Sequence, residues 1–219
     1  MNKEWSELNK LMQTQIKKED TFSEGVKTLL QLRQQLFNEL YQFKAELGRE
    51  EFNAIPFINA DGYHSKTIAY SIWHIFRIED IVAHTLICQN EQIFFSGDYQ
   101  NRIGASIITT GNELVKQQIA DFSETLDLDE LYQYAAAVKD STNDILLNLS
   151  FADMKRKMTD TDKECVKSLG VVSKDENAYW LIDYWCGKDV RGLIQMPFSR
   201  HWIMHVEASL RIRNKVYPS

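Results

Sequence analysis

The sequence predicts an all-α protein, a four-helix up-down bundle with additional short helices. The 219-residue chain contains only 3 Pro and 9 Gly, fewer turn-forming residues than a many-stranded sheet requires. Leu, Gln, Glu, Lys and Ala are frequent, and four long segments repeat apolar residues at helical spacing. Packing four amphipathic helices against one another is the simplest way to bury four such faces.

The first two predicted helices differ in length. Residues 3–18 form a short amphipathic helix with apolar residues at helical spacing. The first long helix opens after Thr21, which is a suitable N-cap because Glu24 follows three residues later in a capping-box pattern. Its apolar stripe continues to about Gly48, and residues 49–63 form a connection that contains Asp-Gly and a proline.

The middle of the chain is predicted to contain a second long helix over about 65–89. Residues 90–111 carry three glycines and form a long loop or short helical pieces. Long structured loops in compact domains are often functional. A short helix, capped at Asn112, follows over 112–124.

The last third of the chain carries the remaining two long helices, over 128–149 and 199–216. Between them, residues 159–195 resemble an insertion of two short helices that Gly170 separates. We expect residues 1–219 to form a single domain, with residues 1–20 as an extra N-terminal helix.

Composition excludes several classes of function. The formal net charge is −6 with acids and bases interspersed, so nucleic acid is not an expected partner, because binding it requires a concentrated basic face. No apolar run approaches the roughly 20 residues of a membrane span, and the polar N-terminus has no signal-peptide core. We therefore expect a cytoplasmic protein without a nucleic-acid or membrane partner.

Two further residue types are expected to serve the core. The cysteines are odd in number and lack C-x-x-C spacing, so we interpret them as small buried hydrophobes in a reducing compartment: Cys88, Cys165 and Cys186. Four tryptophans are interpreted as core residues in preference to a cofactor platform: Trp73, Trp180, Trp185 and Trp202.

Three histidines form the main candidate site. His201 and His205 are four residues apart in the last helix, so both imidazoles lie on one helix face. His74 lies in the middle of the second long helix, in a strongly apolar stretch. Three neutral imidazoles leave a divalent metal ion with an open position, as in catalytic sites, whereas closed structural sites have four protein ligands. The alternative is a chance pair of one core and one surface histidine.

The other two histidines are interpreted differently. His84 is ten residues from His74, which places it about 80° away around the helix, so it is interpreted as a surface or interhelical residue. His64 stands at a helix entrance, where a solvated position is expected and a capping or substrate-facing role is the alternative.

Polar residues near His74 are candidates for supporting roles. Arg77, one turn beyond His74, can reach a substrate carboxylate or phosphate, and Tyr70, one turn before, can also orient a substrate. The alternative for Arg77 is an ion pair with Glu79 or Asp80. Three carboxylates are candidates for holding an imidazole N–H, with an exposed surface position as the alternative: Glu79, Asp80 and Glu207.

These residues resemble a known family, the DinB/YfiT-like superfamily of four-helix metalloenzymes. The resemblance covers most of residues 22–216 and has four parts. They are the W-H-I-x-R-x-E-D segment from Trp73 to Asp80, the T-G-N segment from Thr110 to Asn112, the following helix with Leu131 and Tyr134, and the H-x-x-x-H pair of His201 and His205.

The resemblance implies a fold, a cofactor and a class of reaction. Its three metal ligands fall on His74, His201 and His205, and it implies a divalent ion, zinc or nickel, in an open site, and a homodimer. Characterised members are thiol-dependent transferases or isomerases that use a low-molecular-weight thiol. This chain departs from the family pattern in the long segment 159–195 and in the Glu-Ala-Ser ending at residues 207–209.

The resulting hypothesis is a metal-dependent enzyme, an S-transferase or a hydrolase. An ion held by the three imidazoles would lower the pKa of a bound water or thiol, which then attacks a small electrophile, with Arg77 or Tyr70 orienting the substrate. The competing hypothesis is a non-catalytic, stress-related helical dimer or small-molecule binding module in which the histidines are structural.

Overall fold

The computed structural model describes residues 2–217, and the prediction of an all-α chain is confirmed for them. Within this range the only β contact is an isolated bridge between Lys157 and Asp189. The helices are α1 (Lys3–Gln15), α2 (Phe22–Glu46), α3 (Arg49–Asn53), α4 (Ile68–Asp80), α5 (Ile93–Ser96), α6 (Tyr99–Ile103), α7 (Gln117–Thr125), α8 (Leu128–Asn148), α9 (Asp160–Ser168), α10 (Glu176–Cys186), α11 (Val190–Gln195) and α12 (His201–Val216). Short 3₁₀ turns occur at Glu19–Thr21, Gly62–His64 and Ala152–Lys155, and π-helical turns at Ile81–Cys88 and Met196–Arg200.

The four long helices contact one another in a cycle: α2 contacts α8, α8 contacts α4, α4 contacts α12, and α12 contacts α2. Their apolar faces form one large core cluster, and a second cluster lies under α9, α10 and α11. In the part of the chain described by the structure, no helix combines the length and apolar character that crossing a bilayer requires.

The N-terminal helix α1 packs along α2, and a glycine permits the close approach. A Cβ atom at Gly25 would lie 2.6 Å from a side-chain carbon of Ile16 and 2.9 Å from its backbone nitrogen. The hydroxyl of Thr21 donates to the carbonyl of Gln15 at 2.8 Å instead of capping α2. The predicted capping box of Thr21 and Glu24 is therefore wrong, because α1 competes successfully for the hydroxyl.

Two other helix starts also differ from the prediction. The short helix expected from residue 112 begins only at Gln117, because Asn112 accepts a hydrogen bond from the Thr110 hydroxyl (2.7 Å) and stays in the preceding turn. The second long helix begins at Ile68, where the Thr67 hydroxyl accepts from the backbone N–H of Tyr70 (2.9 Å). It then continues through the π-helical turns to Cys88.

The segment 159–195 contains three helices, α9 to α11, where two were predicted. Gly170, at φ +64°, follows the end of α9 as expected. The additional helix α11 begins after Asp189, whose carboxylate accepts from the backbone N–H of Gly192 (2.8 Å). The prediction that the cysteines are buried is wrong for Cys88 and Cys165, which are exposed, whereas Cys186 is partly buried and packs against the second core cluster. All three are free cysteines.

A buried ion pair joins the four long helices. Arg33 of α2 and Glu79 of α4 form two hydrogen bonds of 2.7 and 2.8 Å, and both side chains are fully buried. Arg33 also donates to the side chain of Asn143 (2.8 Å) and the carbonyl of Lys139 (3.3 Å) on α8. Trp202 of α12 donates its indole N–H to Glu79 (2.8 Å). Because these hydrogen bonds pair the charged groups with partners, the two charges are tolerated in the core.

We expect Glu79→Gln to lower the free energy of unfolding by about 3–5 kcal/mol, since breaking a buried pair leaves Arg33 as an unpaired buried charge. Urea denaturation followed by circular dichroism measures the change. Replacing both partners with apolar residues, Arg33→Met with Glu79→Leu, should recover a large part of the loss.

The matched control for this prediction is the exposed pair of Glu24 and Lys27, whose nitrogen–oxygen distance of 2.8 Å is similar. Glu24→Gln should change stability by at most about 0.5 kcal/mol. Equal effects of Glu79→Gln and Glu24→Gln would show that the buried pair does not hold the helices together.

Candidate metal centre

His74, His201 and His205 converge on a common point. One nitrogen from each ring lies within 4.8 Å of one nitrogen from each of the others. The ring centroids are 4.9 Å apart for His74 and His201, 4.8 Å for His74 and His205, and 4.6 Å for His201 and His205. The residues are only 5%, 7% and 3% exposed, respectively. A triangle of this size can close around a single metal ion.

Helix geometry explains the arrangement. His201 and His205 stand on successive turns of α12 and therefore share one face, and His74 lies on the facing side of α4, which contacts α12. The π-helical turn at Met196–Arg200, which contains Pro197, immediately precedes His201. Turns of this kind occur frequently at functional sites.

A backbone carbonyl orients His74. Its Nδ1 lies 2.7 Å from the carbonyl oxygen of Thr110, and because that oxygen only accepts, Nδ1 must carry the proton. The Nε2 lone pair is then free for a ligand. The Tyr70 ring stacks on the imidazole with a centroid distance of 5.5 Å and an interplanar angle of 13°. Together, the carbonyl and the tyrosine set the plane of the ring.

The turn that supplies this carbonyl depends on a glycine. Gly111 has φ +78°, a conformation that L side chains rarely adopt, and a Cβ atom there would lie 3.0 Å from a ring carbon of Tyr70. The Tyr70 hydroxyl donates to the Gly111 carbonyl at 2.8 Å. The T-G-N segment thus holds both His74 and Tyr70 through main-chain oxygens, a role that spacing along the sequence does not reveal.

Burial keeps the three imidazoles neutral. It lowers the pKa of His74 to about 4, while the hydrogen bond to Thr110 acts in the opposite direction and the Lys66 charge adds to the decrease. Burial also lowers the pKa of His201 and His205 well below the usual value, and the neighbouring histidines add to the effect. Neutral rings are the form that binds a metal ion.

Two of the three histidines have a ring nitrogen without a hydrogen-bond partner. The Nδ1 atoms of His201 and His205 are buried and have no hydrogen-bond partner among the described residues. Buried polar atoms normally have partners, and a cation or a water at the cluster would give each ring one. Three neutral nitrogens also match the preferences of zinc, nickel, copper and iron, so the residues present fit a divalent transition metal ion.

The cluster lines a cavity of about 780 Å³, within the usual size range of small-molecule sites. The loop over residues 58–66, the turn over 112–116 and helix α10 also contribute to its walls. From α10 come mainly apolar and aromatic side chains, including Trp180 and Tyr184. Segment 159–195, whose role the sequence left open, therefore forms one wall of the cavity.

Arg77 does not line the cavity, so the expectation that it orients a substrate has no support in the geometry. Its side chain is fully buried and donates to the carbonyl of Ile108 (2.7 and 3.2 Å) and to Gln92 (3.0 Å). It also lies 3.5 Å from Asp80, the alternative ion pair. The long side chain reaches its carbonyl partner away from the cavity. Tyr70, by contrast, lines the cavity beside His74.

The three candidate carboxylates hold no ligand imidazole. Glu79 is bonded to Arg33 and Trp202. Asp80 accepts from two backbone N–H groups and from the Tyr134 hydroxyl, and Glu207 accepts from the backbone N–H of Asn2. The imidazole N–H of His74 is held by the carbonyl of Thr110 and not by a carboxylate.

His84 and His64 lie outside the cluster. His84 is buried between helices, with Nδ1 2.8 Å from Asp80 and Nε2 2.9 Å from the hydroxyl of Ser141. This arrangement agrees with the interhelical alternative. His64 is partly exposed, and its Nδ1 accepts from Arg211 at 2.8 Å.

Two cavity residues were missed or misassigned in the sequence. Trp73, Trp185 and Trp202 are buried as predicted, but Trp180 is 50% exposed and lines the cavity. Lys66 also lines the cavity. The aromatic density of the WLIDYW segment was the only signal for Trp180, and a single lysine at a helix start carries no signal of its own.

Comparison with known proteins shows similarity at the level of the fold. No protein-family model matches the sequence, and no curated protein is significantly similar to it. The structure is similar to the crystal structure of a conserved protein from Enterococcus faecalis, with a TM-score of 0.61. The match covers 88% of this chain and 97% of that one at 13% sequence identity. The two chains therefore share an overall helical arrangement.

Proposed function

We propose that this protein is a metal-dependent enzyme in which His74, His201 and His205 hold one divalent ion, zinc or nickel. The observation that carries the proposal is the position of the three neutral imidazoles, which meet at the wall of a cavity large enough for a small molecule. When bound, the ion would supply Lewis acidity that lowers the pKa of a water or a low-molecular-weight thiol at its open position.

The residues of this chain support the chemistry in separate ways. Thr110 holds His74 in the tautomer that leaves Nε2 free, and Tyr70 fixes the ring plane. Burial excludes protons from the imidazoles at neutral pH. The cavity gives a small electrophile access to the cluster, and the wall formed by α10 provides apolar surface for its remainder. A thiol transfer and a metal-assisted hydrolysis use the same parts.

We also propose that the chain is a DinB/YfiT-like four-helix up-down bundle and a homodimer. The cyclic contacts of α2, α8, α4 and α12 support the bundle. The placement of the histidine triad on α4 and α12, with the T-G-N turn beside it, supports the family assignment.

We expect protein purified without an affinity tag, and then loaded with zinc, to hold about one zinc ion per chain, measured by mass spectrometry after desalting. Loss of a residue that only hydrogen-bonds to a metal ligand typically weakens metal binding by about 10–100-fold. Because His205→Ala removes a ligand itself, it should weaken zinc binding by more than this. Circular dichroism establishes whether the variant remains folded.

His84→Gln is the control, since it replaces another buried histidine, on the helical segment that also carries His74, that lies outside the cluster. It should keep the full zinc content. Zinc binding that His205→Ala leaves intact would rule out the proposed site, and unfolding of the wild type on zinc removal would indicate a structural site.

Stability of the metal-free protein should fall as the pH decreases from about 6.5 toward 4. The unfolded histidines take up protons near the ordinary pKa, whereas burial lowers the pKa of His74 to about 4 and holds the pKa of His201 and His205 well below the usual value. The unfolded state therefore binds more protons in this range. His205→Leu removes one such group. Its free energy of unfolding should fall less steeply between pH 6 and 5, by up to about 1.4 kcal/mol per pH unit. Identical slopes in urea titrations of the two proteins would contradict the pKa shift.

Catalysis is tested with zinc-loaded protein in two assays, conjugation of cysteine or glutathione to monochlorobimane and hydrolysis of 4-nitrophenyl acetate. We expect one of them to exceed the uncatalysed rate by at least about 100-fold, the lower end of a single acid–base contribution, and His205→Ala to remove the excess. If a fully loaded protein and His205→Ala are equally inactive in both assays, the non-catalytic binding module becomes the better description.

A further inference from the structure

Lys66 is a cation in the cavity that the protein does not neutralise. The residue lines the cavity and is partly buried. Its ammonium group lies 5.0 Å from the centroid of the Tyr70 ring, and no hydrogen bond or ion pair joins it to another described residue. Burial lowers its pKa, because the charged form loses part of its hydration.

The ammonium group lies close to the histidine cluster. Lys66 lines the same cavity as His74 and His205. The Tyr70 ring that it contacts is the ring stacked on His74. A group bound to Lys66 would therefore be near the atoms proposed to react.

The other charges lining the cavity do not compensate for Lys66. Asp61 and Lys116 are exposed and opposite in sign, so together they add no net charge. Glu113, on the neighbouring turn, keeps its negative charge and acts on Tyr70, but it accepts a hydrogen bond from the hydroxyl of Thr109 and forms no ion pair with Lys66 among the described residues. A partly desolvated ammonium without a counterion is unfavourable, and an incoming anion would offset that cost.

Another wall of the cavity is suited to an apolar body. Trp180, Leu181, Tyr184 and Trp185 all line it. The indole N–H of Trp180 donates to the carbonyl of Asn177 at 2.9 Å, so the half-exposed ring offers its aromatic surface to the cavity and has no free donor. Aromatic surfaces of this kind bind planar or aliphatic groups.

From this juxtaposition we infer that the cavity binds a small monocarboxylate with an aromatic or aliphatic body, its carboxylate on Lys66 and its body against Trp180. The inference names the substrate class of the proposed site, and it rests on the proposed function for the reaction that follows binding. A monoanion matches the single uncompensated ammonium group. Phosphate groups are commonly bound by the bidentate guanidinium group of arginine. Among the described residues no arginine lines the cavity, which favours a carboxylate over a phosphate.

Calorimetric titration with 4-phenylbutyrate and its neutral isostere, 4-phenylbutyramide, tests the inference in both metal-free and zinc-loaded protein. We expect metal-free wild type to bind the carboxylate at least about tenfold more tightly than the amide, a difference of about 1.4 kcal/mol. Lys66→Met should remove this preference and leave the amide affinity unchanged. Trp180→Ala should weaken both probes to the same degree.

Lys17→Met, at an exposed position outside the cavity, is the matched control and should behave as wild type. Equal affinities of the two probes for metal-free wild type, a preference that survives Lys66→Met, or no heat of binding from either probe would each overturn the inference. A third titration with 3-phenylpropyl phosphate overturns it if the phosphate binds more tightly than the carboxylate.

The two proposals fail separately. Zinc binding without a carboxylate preference would refute the inference about Lys66 and leave the metal site intact. A carboxylate preference that depends on Lys66, in a protein that does not bind zinc, would refute the metal site and leave the inference about Lys66 intact.

Discussion

The buried pair of Arg33 and Glu79 is the constraint on which the site geometry depends. Trp202 is the immediate neighbour of His201 on α12. It donates to Glu79, and its ring centroid lies 4.5 Å from the guanidinium carbon of Arg33. Glu79 is on the same helix as His74. The ion pair therefore fixes the position of α4 relative to α12 close to the cluster. An apolar contact would be less exacting, because hydrogen bonds are directional and an unpaired buried charge is costly.

A second polar network extends this control to the loop that orients His74. Asp80 accepts from the backbone N–H groups of Ile93 and Phe94, both at 2.9 Å, and so holds the start of α5. Arg77 donates to the carbonyl of Ile108, two residues before Thr110. The charged residues after His74 thus act on the ring through the loop. Arg77 is therefore placed to position the Thr110 carbonyl through Ile108.

Burial of the histidine cluster has a cost in stability and also keeps the imidazoles neutral. Three imidazoles are buried and one ammonium group is partly buried beside a cavity, and burial lowers the pKa of each of these groups. A protein core gains nothing from such groups unless partners arrive from outside. The proposed metal ion would supply a partner for the imidazoles, and the proposed anion would supply one for Lys66.

The sequence by itself determined the helical class, the approximate bounds of the long helices and the shared face of His201 and His205, because these depend on interactions within a few residues. It also pointed to His74 through its apolar surroundings and the family resemblance. Only the tertiary structure decided the Thr110 contact, the direction taken by Arg77, and the contribution of α10 to the cavity. These features depend on contacts between residues far apart along the chain and on which rotamer each side chain adopts. Distant partners compete for each side chain, and residue spacing does not encode the outcome.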